Sequence, residues 1–341
     1  MSLGLKEGVK LFYFYIRDLK NFSPDYDNEY DFYIERCVTL DNLQDGSLIF
    51  VKKKVSKDLL EKLEQLKHCL IIVLPSDNAD IYAKIKLENM VIETDNPRLN
   101  FARIFQFILN NTQKKKRPSP VLGRGFQQGQ NVVIGYGTVI EENVMIDHNV
   151  VIGDNVHIGN NCRIMSGVII NDNVVIGDRT IIREQSVIGG WGYGFERDEN
   201  GIPIRLPHIG GVIIGHDVEV GALTTIASGT FKPTVIGNYT KIDDHVHVAH
   251  NCHIGEANFL IALSGIAGSV TIGDKCWIGL NSAVIQSTKI GNDCFIGMGA
   301  VVKKDIPDGV TVSNNPAQTL EELSLKRKIY RKLKKDFKDK L

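Results

Sequence analysis

What the chain lacks narrows its class first. Its six cysteines contain no CxxC pair, so neither a zinc finger nor a dithiol redox motif is expected, and they read as small, reduced, buried hydrophobes. No apolar run approaches the roughly 20 residues that span a bilayer, and no segment resembles a signal peptide, so a cytoplasmic protein without membrane insertion is expected. Charge of either sign is not in excess, with 40 basic against 40 acidic residues, which removes the usual reason to expect nucleic acid.

What the chain has is a six-residue period. From Ile134 an aliphatic residue recurs through Ile140, Ile146, Ile152, Ile158, Ile164, Ile170, Ile176 and Ile182 to Ile188. The register resumes at Ile214, Val220 and Ile226, slips once, and then runs from Ile236 to Val302. Six fits neither the 3.6 residues of a helical turn nor the 2 of a strand. It fits a left-handed parallel β-helix, in which three short strands and three corners complete one coil. The 25 aliphatic positions in register predict about eight coils, stacked into a prism of roughly 40 Å.

The remainder divides around that prism. Residues 1–112 carry no such period; Ser47–Val51 and Cys69–Leu74 read as strands, and Leu59–Leu66 and Leu99–Leu109 have helical spacing. Asp95 or Asn96 before Pro97 marks a helix start. A small mixed α/β domain is therefore expected, followed by a basic, proline-containing linker at 113–120. The β-helix occupies 121–312, and 313–341 reads as a basic helical segment that caps the last coil or docks an acidic partner. Two breaks in the period mark where loops leave the prism: 189–211, with Gly190-Trp191-Gly192-Tyr193-Gly194-Phe195, and the short excursion 229–234.

The flat faces of such a prism make no deep pocket, so a site needs these loops or a neighbouring prism. Near them, four of the nine histidines fall between His245 and His253, beside Asp243 and Asp244. His250 and Asp243 belong to adjacent faces of one coil, where a carboxylate would hold an imidazole tautomer. The other three histidines are expected to be exposed corner residues.

The strings Ile34-Glu35-Arg36-Cys37, Gly46-Ser47-Leu48-Ile49-Phe50 and Asp95-Asn96-Pro97-Arg98-Leu99-Asn100-Phe101-Ala102 recur in a known pattern with Gly221-Ala222-Leu223-Thr224-Thr225-Ile226, Val248-Ala249-His250-Asn251 and Gly265-Ile266-Ala267-Gly268-Ser269. Together they resemble the UDP-3-O-acylglucosamine N-acyltransferases of lipid A synthesis and, more broadly, hexapeptide acyltransferases acting on nucleotide-linked amino sugars. The resemblance implies attack of a sugar amine on an acyl thioester within a homotrimer. His250 matches the general base, Asp243 its supporting carboxylate, and Gly268 an oxyanion donor. Gly268 follows His250 by eighteen residues, one full coil. Phe50, His247, Asn251, Trp191, Tyr193 and Ser287 are the expected substrate-binding residues.

The sequence departs from the lipid A pattern at Ala227-Ser228-Gly229, at Ser287 where a second histidine is usual, and at Lys53 and Lys54. Val301-Val302-Lys303-Lys304-Asp305-Ile306-Pro307-Asp308-Gly309-Val310 and Asn315-Pro316-Ala317 resemble the closing turn of sugar acyltransferases that use coenzyme A. Lys303, Lys304, Asn315 and Pro316 are therefore expected to bind acyl-CoA. The leading expectation is N-acyl transfer from acyl-CoA to a dTDP- or UDP-linked amino deoxysugar, for surface polysaccharide or glycoconjugate synthesis. The alternative is the lipid A enzyme itself, with an acyl carrier protein thioester as donor and partner. No metal is expected; the competing readings are a zinc hydratase drawing on His245, His250, His208 or His216, and a non-catalytic scaffold.

Overall fold

The computed structural model describes residues 12–78, 80–112, 118–313 and 319–338. The six-residue period becomes three parallel sheets of nine, ten and nine strands, most of them two residues long, which form the faces of a left-handed β-helix. Partners across each ladder are eighteen residues apart in the regular coils, as in Ile140 with Ile158 and Val248 with Ile266. One residue of each strand points inward, and the inward residues from Ile140 to Val302 form one continuous buried core. Burying each such side chain contributes about 1.5–3 kcal/mol.

The prism is longer than the aliphatic count predicted. Its first coil begins at Val121–Leu122 and passes through Gln127–Gln128, where glutamine holds the place of an inward aliphatic residue. End coils are exposed to water on one side and tolerate polar residues, so the hydrophobic signal fades there first.

Each corner has its own chemistry, repeated every six residues. The third residue after the inward aliphatic takes the left-handed conformation, with φ between 52° and 64° at the non-glycine corners. Asparagine is frequent there, as at Asn143, Asn149, Asn155, Asn161 and Asn251. The next residue is buried, often a valine, and where it carries a donor its side chain can reach a corner carbonyl of the following coil. Thr180 Oγ1 donates to Gly215 O at 2.9 Å, Thr240 Oγ1 to Gly255 O at 3.0 Å and Asn258 Nδ2 to Gly273 O at 2.9 Å. Cys162, Cys252, Cys276 and Cys294 occupy the same position, their thiols 3.0–3.1 Å from such carbonyls. Burial raises the Cys252 thiol to about 11, so it stays protonated as a donor. These cysteines are buried and form no disulfide, filling a position that valine takes in other coils.

The N-terminal region forms a four-stranded parallel sheet from Arg36–Cys37, Ser47–Phe50, Leu70–Val73 and Met90–Glu93. Alternate residues serve opposite faces: Leu48, Leu70 and Ile72 meet the helix Pro97–Asn111, while Ile49, Ile71 and Val73 meet the side of Leu63, Tyr82 and Ile85. Asn96 caps the longer helix, its Oδ1 accepting from Leu99 N–H at 3.1 Å.

Both breaks in the period dock onto that helix. The first contains a hairpin, Phe195–Arg197 with Pro203–Arg205, and Ile204, Leu206 and Ile209 join the N-terminal core. The second inserts Phe231, whose ring lies 5.4 Å from Phe101 and 6.3 Å from Phe105. Ion pairs flank the apolar contact: Arg98 with Glu196 at 2.9 Å, a two-pronged Arg103–Glu199 pair at 3.0 and 2.7 Å, and Lys232 with Asp41. The helix Leu320–Lys338 follows the last coil, with Leu325, Ile329 and Leu333 exposed. The linker residues 113–117 lie outside the described residues.

Removing the Phe231 ring should loosen the docking and leave the coils intact. In Phe231→Ala, amide hydrogen exchange is expected to accelerate across 97–111 and 195–206 while the coils beyond residue 240 keep their protection. Acceleration spread evenly along the prism contradicts this account.

Candidate active site

His250 stands in the corner Ala249-His250-Asn251-Cys252, the corner that faces both period breaks. The corner is held from all sides. Asn251 takes the left-handed conformation at φ 61°, and its Oδ1 accepts from Thr230 N–H at 2.6 Å and Thr230 Oγ1 at 3.2 Å. Asn251 N–H donates to Thr234 Oγ1 at 2.9 Å, and the carbonyl of His250 accepts from Ser269 N–H at 2.9 Å. The expected substrate contact Asn251 is thus occupied in tying the excursion 229–234 to the corner.

Gly268 lies one coil on, directly above His250. A Cβ there would stand 2.7 Å from His250 Cε1 and 2.8 Å from Nε2, so any side chain would push the imidazole from its place. At several comparable corners the equivalent N–H is taken by an Asp or Asn of the next coil, as in Asp154 N–H to Asp172 Oδ1 and Asp274 N–H to Asn292 Oδ1, both 2.8 Å. Above Gly268 the residue is Gln286, and among the described residues no acceptor takes the Gly268 N–H. A free backbone donor therefore sits beside the imidazole.

From the other side the loop closes over His250. Gly192 passes so near that a Cβ would lie 2.7 Å from His250 Cβ and 2.9 Å from His208 Nε2. His208 is buried at 2% exposure, its ring centre 4.9 Å from that of His250. Burial, then the neighbouring His250, lowers the His208 pKa to about 4. Burial also lowers His250, assisted by His247 and by the Arg98 guanidinium at the start of the N-terminal helix. Both rings are neutral near pH 7, the state in which an imidazole takes up a proton.

The remaining expected residues are spread over the prism. Asp243 sits one corner before His250, where its oxygens accept from Asp244 N–H at 2.8 Å and Ala262 N–H at 3.1 Å. It makes no hydrogen bond to His250 within the chain. His247 is exposed, with Nδ1 2.7 Å from Thr225 Oγ1. Trp191 and Tyr193 flank Gly192 and are exposed, and Arg205 lies over the rings of Trp191 and Phe195. Phe50 packs on Phe101 at 4.7 Å, inside the N-terminal domain. Ser287 occupies a left-handed corner and donates its N–H to Gly268 O at 3.0 Å. By register, His250, Gly268, Gln286 and Lys304 form one corner column, so Lys304 stands three coils from the imidazole, roughly 14 Å. Lys303 lies one residue before it, and Asn315 and Pro316 lie outside the described residues.

Of the histidines a metal would need, only His208 approaches His250. His245 belongs to the preceding corner, and His216 Nδ1 accepts from Asp178 N–H at 2.9 Å. Among the described residues no three potential ligands converge.

Two contributors escaped sequence reasoning. His208 entered only as a metal candidate, although Leu206-Pro207-His208 ends a loop already marked as site-forming. Arg98 was read as part of a helix start, and nothing local tied it to a corner about 150 residues away.

Residues 129–164 and 155–190 match the family described as "Bacterial transferase hexapeptide (six repeats)", and 269–304 match "Hexapeptide repeat of succinyl-transferase". Among curated proteins, a UDP-3-O-acylglucosamine N-acyltransferase of Bordetella parapertussis is 44% identical over 28% of this chain and 27% of its own length. One from Campylobacter curvus is 33% identical over 42% of this chain and 46% of its own. The matches thus span less than half the length of these relatives. The solved UDP-N-acetylglucosamine acyltransferase of Francisella novicida is 31% identical, with a TM-score of 0.50 over 58% of this chain and 71% of that one.

The electrostatics of the corner can be read directly by NMR. His208 is expected to titrate near 4 and His250 below 6.5, and a His250 midpoint at or above 6.5 contradicts the assignment. A buried neutral His208 also makes stability depend on pH. The unfolded chain takes the proton first, so stability is full above about 6.5 and declines as pH falls toward about 4. His208→Gln should flatten that decline in denaturant midpoints.

Proposed function

This chain belongs to the hexapeptide-repeat acyltransferases, and from that premise we propose that it transfers an acyl group from a thioester to the amine of a UDP-linked glucosamine-type sugar. The observation that carries the proposal is the pairing of a neutral, half-buried His250 with the unclaimed N–H of Gly268. In this reading His250 accepts a proton from the sugar amine as the nitrogen attacks the thioester carbonyl. Gly268 N–H stabilises the tetrahedral oxyanion. Collapse breaks the C–S bond, and the imidazolium returns its proton to the departing thiolate. Asp243, free of any bond to His250 within one chain, is proposed to act from a neighbouring subunit or in shaping its own corner.

The acceptor follows the names of the relatives, which are UDP-3-O-acylglucosamine N-acyltransferases. This reverses the order expected from the sequence, where an amino deoxysugar and acyl-CoA came first. The CoA reading keeps one specific support, the column that leads from His250 to the exposed Lys304, with Lys303 beside it, where thioester-borne phosphates would be met. An acyl carrier protein donor and CoA share the same thioester chemistry at His250. The stacked outer rings of Phe259, Trp277 and Phe295, each 39–46% exposed, support self-association into the proposed trimer. A cytoplasmic location is proposed with it; among the described residues no helix is long and apolar enough to cross a membrane.

His250→Ala should reduce turnover about 10²–10⁴-fold without unfolding the prism, and near-normal activity would end the proposal. In the wild type, kcat/KM should hold steady above pH 6.5 and fall only on the acid side, as His250 becomes protonated. Parallel assays with acyl-CoA and acyl-carrier thioesters separate the donors. If CoA is used, Lys303→Ala and Lys304→Ala should each raise its KM roughly two- to fivefold, and unchanged values argue for the carrier protein.

A further inference from the structure

The corner contains two buried nitrogens that nothing satisfies. His250 Nδ1 and His208 Nε2 are both shielded from water, and neither has a hydrogen-bond partner among the described residues. They belong to rings whose centres are 4.9 Å apart at an interplanar angle of 58°, so a modest ring rotation brings a nitrogen of one toward a nitrogen of the other. The opposite nitrogen of His208 is already committed, because Nδ1 lies 2.9 Å from Leu206 O. A carbonyl oxygen only accepts, so neutral His208 carries its proton on Nδ1 and presents a lone pair at Nε2.

We infer that His208 is the positioning residue for His250, accepting its Nδ1–H and so leaving the Nε2 lone pair of His250 to face the reacting amine beside Gly268. The chain of donors is then complete: His250 Nδ1–H to His208 Nε2, and His208 Nδ1–H to Leu206 O. This role elsewhere falls to a carboxylate; here Asp243 is bound to backbone amides and His208 supplies the acceptor. A neutral acceptor suits a site whose other neighbours, His247 and Arg98, already disfavour an imidazolium. Gly192 explains why the loop can deliver His208 at all, since any side chain there would wedge between the two histidines. The hydrogen bond is expected to close when substrate fills the site, as such bonds commonly do.

The inference rests on His250 being the base, but its test does not. Long-range proton–nitrogen NMR correlations on the wild type report which nitrogen of His250 is protonated. Nδ1–H is expected, and an Nε2–H ring overturns the inference regardless of any assay. His208→Leu fills the space without an acceptor and should shift His250 toward Nε2–H, with kcat falling about 10- to 100-fold and KM unchanged. His208→Gln restores an acceptor and should recover most of kcat along with the Nδ1–H tautomer. Full activity and an unchanged tautomer in His208→Leu overturn the inference, as does a Gln variant no better than Leu. If His250→Ala retains activity while the tautomer responds as expected, the base assignment fails and the positioning contact stands.

Discussion

Everything in this molecule depends on closing the backbone hydrogen bonds at the corners of a two-residue strand. A strand that short buries one side chain and must turn at once, so two-thirds of the prism is corner. The turn is possible because one residue in six accepts a left-handed backbone, and it is stable because the next coil supplies acceptors and donors in register. In some coils a donor at the following position, four times a cysteine, also reaches an inner carbonyl. The hydrophobic column supplies the driving force, and the corners determine where polar groups are fully used.

At the candidate site that hydrogen-bond closure is left open. At several corners of this kind an Asp or Asn of the next coil claims the exposed N–H. In the column of His250 the successive residues are Gly268 and Gln286, and the N–H of Gly268 stays available. A donor that the fold leaves unused is what catalysis of acyl transfer requires, and glycine there also clears room for the imidazole. The same corner receives the two departures from the period, and their outer ends are gripped by the helix Pro97–Asn111. The N-terminal domain therefore acts on the site through the loops, with Arg98 as its nearest charge to His250.

Much of this was legible in the residues. The period from Ile134 to Val302 described the prism, its breaks located both loops, and the family resemblance singled out His250 and Gly268, which an eighteen-residue spacing stacks one coil apart. The first coil lies inside the expected span 121–312 but outside the aliphatic register, because Gln128 stands at an inward position near the end of the prism, where burial no longer demands an aliphatic residue. Asp243 was expected beside His250 because adjacent faces of a coil share an edge. In the structure its carboxylate serves the neighbouring corner, since backbone N–H groups there are closer and need an acceptor. Asn251 was expected to meet substrate, yet a left-handed corner and the Thr230 amide claim it first.

Local spacing determines what repeats: the coil, its core, its corners and the vertical columns, because each is set by residues six or eighteen apart. It does not determine what approaches the prism from outside. His208 meets His250 only because the loop folds back past Gly192, and Arg98 only because Phe231 and Leu206 seat the N-terminal helix against that loop. These contacts join residues about 40 and 150 positions apart through apolar packing that has no period to read. The sequence by itself determined the scaffold and its corner columns. The tertiary structure decided which side chains surround the corner of His250, because packing across the loops has no period to read.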